Sequence, residues 1–364
     1  MNSIMKKLLI SILISILPLT SICGCAGKQA PQSTPTDNSL QDPVAQDSNQ
    51  STPEPAPVAN KNDGKNPFKF TIDTSYSRDD LKVIIGVYSE DERFTVNYDL
   101  DCEGDGEYEY TGLTKMHTCS YKSYSGTHQV WVRGEIPAIR LCADHLDILD
   151  NWFSNGVSVS HSVAGKTLVS VDDWGDISWK KMRGFAANCN KLSTLPKDPP
   201  DLSQTEDMSY MFYDTKRFNQ SIEHWDVSNI KNMEGVFKES IIFNKPIEKW
   251  NVSNVENMQN MFLNAEAFNQ PLDNWNVSNV NNMYSMFSGA SHFNQPLEHW
   301  NVSNVKDMEK MFNDATEFNQ PLGNWNVSNV TNMQGMFQGA SAFNQLVFNA
   351  PVFSYSVSKL SECI

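Results

Sequence analysis

Apolar residues in the C-terminal half recur at a constant interval. Trp225, Trp250, Trp275, Trp300 and Trp325 occupy every twenty-fifth position, as do Met233, Met258, Met283, Met308 and Met333. Phe237, Phe262, Phe287, Phe312 and Phe337 keep the same interval, and so do Phe243, Phe268, Phe293, Phe318 and Phe343. Four columns in register define a repeat. Read backwards, Met208, Phe212 and Phe218 belong to an earlier unit with Pro200 at the tryptophan position, and Trp174 with Met182 opens a still earlier one. Seven units therefore span Trp174 to Asn349, the first of them a single position longer than the others. One such unit cannot cover its own apolar face, whereas stacked neighbours can.

Within a unit, Leu272, Trp275 and Val277 read as a short inward-facing strand. Val280, Met283, Phe287 and Ala290 follow at spacings of three, four and three, which is one face of a short helix with Ser278 as its N-cap. Phe293-Asn294-Gln295-Pro296 turns the chain back. The expected fold is an α+β repeat solenoid, LRR-like, with a short strand and a short helix per unit and a right-handed course.

Ahead of the repeats the period changes to two. Phe68–Ile72, Leu81–Val87, Phe94–Tyr98 and His128–Val132 show alternation or β-branched runs of strand length. Residues 67–140 thus read as a small all-β sandwich, 141–173 as a connector and N-terminal cap, 174–349 as the solenoid and 350–364 as a C-terminal cap.

The N-terminus is an export address. Lys6 and Lys7 precede the apolar run Leu8–Leu19, which is too short to be a good transmembrane span, and Ile22-Cys23-Gly24-Cys25 closes it. That tetrapeptide resembles a bacterial lipobox, which implies a signal peptide over 1–24 and acylation of Cys25. Residues 25–66 carry Pro31, Pro35, Pro43, Pro53, Pro55 and Pro57 among Gln, Ser, Thr, Asn and Asp, a composition that cannot bury enough surface to order itself and reads as a lipid-anchored tether. Membrane contact is expected through the lipid alone. The protein should sit in the cell envelope, at the outer membrane or cell surface.

The formal charge of −15 and pI near 4.9 argue against nucleic acid, which requires clustered Lys and Arg. Cysteine use agrees with an oxidising compartment. Cys102 and Cys119 flank a predicted hairpin and are the expected disulfide; Cys189 reads as a small buried thiol; no CxxC pair suggests zinc. Asp99, Asp101, Glu103 and Asp105 alternate as calcium-loop ligands do, with Gly104 at the sixth position. The twelfth, however, is Tyr110 and not Glu, so a solvated acidic hairpin turn is the expectation and no metal or cofactor is assigned.

Two resemblances follow from these residues. Asp99–Gly106 and Tyr124–Gly134 are similar to PKD-like β-sandwich modules. The motif Trp-Asn-Val-Ser-Asn-Val-x-Asn-Met-x-x-Met-Phe-x-x-Ala-x-x-Phe-Asn-Gln-Pro-Leu resembles the BspA-like, leucine-rich-repeat-related surface proteins, whose 25-residue module is also known as a mycoplasma-type lipoprotein repeat. Phe185, Cys189 and Leu192 resemble another form of the same module. The departures are Pro200 for Trp, Val236 for Met, Ile242 before Phe243, and the tail from Ala350. The resemblance implies a bacterial surface protein that binds extracellular-matrix or host proteins or mediates adhesion.

A partner is expected along the stacked polar columns Glu223, His224 and Asp226; Glu248, Lys249 and Asn251; Asp273, Asn274 and Asn276; and Glu298, His299 and Asn301, continuing to Gly323, Asn324 and Asn326. These same asparagines could equally satisfy neighbouring backbone groups. Asn219, Asn244, Asn269, Asn294, Asn319 and Asn344, at the turn, are expected to be structural. The Trp and Met columns read as core. No Gly-x-Ser-x-Gly elbow, His-Glu-x-x-His or phosphate loop occurs, so an enzyme is not expected. The alternative to adhesion is a periplasm-facing envelope scaffold or polysaccharide-binding lipoprotein.

Overall fold

The computed structural model describes residues 64–75, 81–87, 96–115, 117–122, 124–136, 138–141 and 167–345. The expected signal peptide, Cys25, most of the expected tether, Cys142, Cys363 and the expected 350–364 cap lie outside these residues. All described residues belong to one compact unit, Pro55–Ile364.

Among the described residues, eight strands run from the start of the sheet region into the first repeat: β1 (Phe68–Asp73), β2 (Leu81–Val87), β3 (Asn97–Asp101), β4 (Tyr110–Leu113), β5 (His117–Tyr121), β6 (Thr127–Glu135), β7 (Ile139–Arg140) and β8 (Leu168–Trp174). They form a five-stranded sheet in the order β4-β3-β6-β1-β8 and a three-stranded sheet in the order β5-β2-β7. Their named pairings are antiparallel. The alternation in β1 places Phe68, Phe70 and Ile72 in the core at 0–1% exposure. β8, from the stretch read as a connector, pairs with β1 on one side and bridges Ser170 to Thr194 of the first repeat on the other. Sheet and repeats consequently share one core: the Phe68 ring lies 5.3 Å from Trp179 and 6.1 Å from Phe185.

The repeats correct the expected α+β solenoid. Among the described residues there is no helix, and the regular structure is antiparallel sheet. Each repeat is a coil of tight turns, and the parallel contacts between coils are single bridges that run Asp207–Asn232–Asn257–Asn282–Asp307–Asn332. Val280, Met283, Phe287 and Ala290 do point inward at 0% exposure, but through turns.

Competition for backbone N–H groups explains the difference. A helix needs each N–H to reach the carbonyl four residues back. Here Met283, Ser285, Phe287 and Gly289 donate instead to Asp307, Glu309, Met311 and Asn313 of the next coil at 2.7–2.9 Å. The interleaved residues Met286, Ser288 and Ala290 close turns onto Met283, Ser285 and Phe287 at 3.1–3.2 Å. Two positions per coil carry positive φ: Tyr210, Gly235, Asn260, Ser285, Lys310 and Gly335 form one column, and Asp214, Glu239, Asn264, Gly289, Asp314 and Gly339 the other. A pair of left-handed residues one helical turn apart is incompatible with a right-handed helix. Ser278 therefore caps nothing; its own N–H is capped by Asn276 Oδ1 at 3.2 Å.

Aromatic columns fill the interior. The rings of Phe237, Phe262, Phe287 and Phe312 lie 5.4–5.7 Å apart between successive coils, close to parallel. Within a coil, Phe287 stacks on Phe293 at 4.1 Å. From Trp250 to Trp325 each indole N–H is satisfied by the coil before it, as when Trp300 Nε1 donates to the Leu272 carbonyl at 2.9 Å. Where later coils have alanine, Thr215 and Ser240 pair their hydroxyls at 2.9 Å, leaving neither side chain orphaned in the core.

Candidate functional site

The exposed columns between successive prolines are built by turns whose apolar residues point inward. Ile222, Trp225 and Val227 are buried, so Glu223, His224 and Asp226 are left facing outward, and the same holds for 247–252, 272–277 and 297–302. Glu223, Glu248, Asp273 and Glu298 are half-buried; His224, Lys249, Asn274, His299, Asp226, Asn251, Asn276 and Asn301 are exposed. None of the twelve is buried, and they recur at the same positions of successive coils.

The charged members pair between coils. Lys249 Nζ lies 3.1 Å from the Glu223 carboxylate, and Asn324 donates to Glu298 at 2.8 Å. His299 bonds Asp273 through both Nδ1 and its backbone N–H, the latter at 3.0 Å. The hydrogen bond to Asp273, and then its negative charge, raise the His299 pKa above the ordinary imidazole value. Hydrogen bonds from Ser228 lower the Asp226 carboxyl below its ordinary value.

Asparagine is used in three different ways. In the turn column, Oδ1 of Asn219, Asn244, Asn269, Asn294 and Asn319 accepts the backbone N–H of the next member at 2.9–3.1 Å, a continuous ladder from 219 to 344. In the stripe column, Oδ1 of Asn251, Asn276, Asn301 and Asn326 accepts the N–H two residues ahead at 3.2 Å. A third column, Asn254, Asn279, Asn304 and Asn329, donates Nδ2 to a serine carbonyl of the preceding coil at 2.7 Å. This third set was not singled out from sequence. The repeat period displays it, but only hydrogen-bond partners show that its members stand exposed beside the stripe.

Cys102 and Cys119 form a disulfide with Cα atoms 5.6 Å apart. Cys189 is disulfide-bonded as well, which corrects its reading as a buried thiol. In the acidic turn, carboxylate oxygens of Asp101, Asp105 and Glu109 lie within 4.8 Å of one another. Asp101 is buried and accepts the N–H groups of Glu103 and Gly104 through Oδ1 and of Gly106 through Oδ2, so it organises the turn. Burial raises the Glu109 pKa, against the lowering effect of the Cys102 N–H that it accepts.

The family model described as "Mycoplasma protein of unknown function, DUF285" matches residues 180–298 and again 271–362, together half of the chain. The chain belongs to this family. Membership fits a mycoplasma-type surface repeat protein. No curated protein and no solved structure matches the chain. Both matched segments lie in the repeats and the tail, so the family assignment leaves the β-sheet region apart.

Proposed function

We propose that this protein is a surface lipoprotein of the BspA-like kind, tethered through Cys25, that uses its stacked coils for adhesion to host or extracellular-matrix proteins or to other cells. The observation that carries the reading is the exposed stripe itself: the same positions of consecutive coils stay unburied, held by a rigid aromatic interior, and offer a long surface to an extended partner. The β-sheet region, read as PKD-like, is a spacer between tether and stack, and the chain has a binding and not a catalytic role. A second reading, an envelope scaffold or polysaccharide-binding lipoprotein, is favoured by the exposed asparagines that recur beside the charged members of the stripe in consecutive coils.

Protease treatment of intact and permeabilised cells, followed by binding of the full chain to immobilised matrix proteins, tests the proposal. Cleavage on intact cells together with matrix binding is the expected result. Protection until permeabilisation, with no matrix protein bound, overturns adhesion.

A further inference from the structure

We infer that the outer edge of the stripe is a site for a neutral, extended, β-linked polysaccharide; this rests on the reading of the stripe as a binding face. The argument starts from which half of each carboxamide is engaged. Asn251, Asn276, Asn301 and Asn326 use Oδ1 to accept a backbone N–H, a partner that can only donate. Asn254, Asn279, Asn304 and Asn329 use Nδ2 to donate to a backbone carbonyl, a partner that can only accept. Backbone groups of fixed polarity therefore orient both amides. Among the described residues the first column has no partner for its –NH2 groups and the second none for its Oδ1 atoms. Four consecutive coils thus present one outward donor and one outward acceptor each, on exposed side chains. Because the backbone already holds them, little ordering entropy is lost when a ligand arrives.

Charge and spacing select the ligand. Asp226 is the only charged member of the two columns from Asp226 to Asn329; beside them Glu223–Lys249 and Asp273–His299 pair across coils, while Glu248 and Glu298 keep their negative charge. A polyanion would be repelled by these carboxylates, and the amide columns that carry the outward donors and acceptors call for a neutral ligand. Coils joined by parallel bridges repeat at about 4.8 Å. An extended peptide laid along the stack would bring same-face residues only every ~6.6 Å and drift out of register. A β-linked pyranose chain advances by roughly one coil per ring, and each ring carries hydroxyls that both donate and accept. The tryptophans are buried and offer no stacking platform, so binding accumulates over several coils. A polymer should bind and a monosaccharide should not.

The stack itself supplies the test variant. Asp226 holds the Ser228 N–H at 3.0 Å in the same turn where the later coils use asparagine. N276D/N301D therefore keeps the turn and replaces two outward –NH2 donors by carboxylate oxygens. Affinity electrophoresis of the full chain through hydroxyethyl cellulose, galactomannan and glycol chitin, all neutral and β-linked along the backbone, is the measurement, with matrix-protein binding followed in parallel. Retardation of the wild-type chain by at least one polymer, weakened about tenfold in N276D/N301D at an unchanged urea midpoint, is expected. Absence of retardation with all three polymers, or retardation undiminished in the variant, overturns the inference. If matrix proteins bind while no polymer does, adhesion stands and the polysaccharide site falls; if neither binds, both fall.

Discussion

Replacing Phe287 by alanine probes the stack where it is most continuous. The ring has 0% exposure and touches Phe262 at 5.4 Å and Phe312 at 5.6 Å in the adjacent coils, and Phe293 at 4.1 Å in its own. Truncating a buried phenylalanine costs about 3–5 kcal/mol, and the relaxed stacking of flanking rings places this site near the middle, at about 4 kcal/mol. The equivalent Phe337 of the last described coil is 8% exposed and, among the described residues, has Phe312 at 5.7 Å and Phe343 at 4.1 Å as its ring partners. Phe287 also packs against Trp300 at 6.3 Å, so Phe337 has two ring pairs fewer, each worth about 0.5–1.5 kcal/mol, and with its incomplete burial Phe337→Ala should cost about 1–3 kcal/mol. Urea unfolding followed by tryptophan fluorescence gives both values from midpoint shifts at constant slope. Equal costs at the two sites would refute nearest-neighbour stacking as the source of stability. So would a larger cost at Phe337 than at Phe287.

Three further outcomes follow. Asn269→Ala removes the acceptor for the half-buried Asn294 N–H at 3.0 Å and for Gln295 Nε2 at 2.9 Å, so it should destabilise by about 1–3 kcal/mol, more than Asn276→Ala on the exposed stripe; urea midpoints compare the two. The raised His299 pKa means that its pairing with Asp273 stabilises the fold fully below the unfolded imidazole value of about 6.5 and ceases to do so as pH rises through the higher folded value. An NMR titration should show this histidine above the ordinary value, and Asp273→Asn should lower it; an unchanged titration would show that Asp273 is not the cause. The Cys102–Cys119 bridge joins cysteines at a sequence separation of 17, so C102S/C119S should cost about 3 kcal/mol in thermal or urea unfolding of the oxidised chain.

Periodicity made the repeat legible because about every third residue of a coil must be apolar to fill the interior, whatever backbone path carries it there. It could not separate a helix from a run of turns. Val280, Met283, Phe287 and Ala290 satisfy both, and the φ > 0 positions are disguised by residues such as Lys310, Glu239 and Asp314, which reach the left-handed region only because the neighbouring coils hold them there. The asparagine ladder from Asn219 to Asn344 could be suspected from spacing, whereas the direction of each carboxamide could not.

The sequence by itself determined the unit length, the identity of the buried columns and the positions that stay polar, since these depend on side-chain type and spacing alone. Only the tertiary structure decided the backbone of the coil. The choice between a helix and stacked turns rests on where alternate N–H groups find carbonyls, and those carbonyls belong to the next coil, as Asp307 does for Met283. A bond within the turn orients one asparagine column as outward donors, and a contact between coils orients the other as outward acceptors.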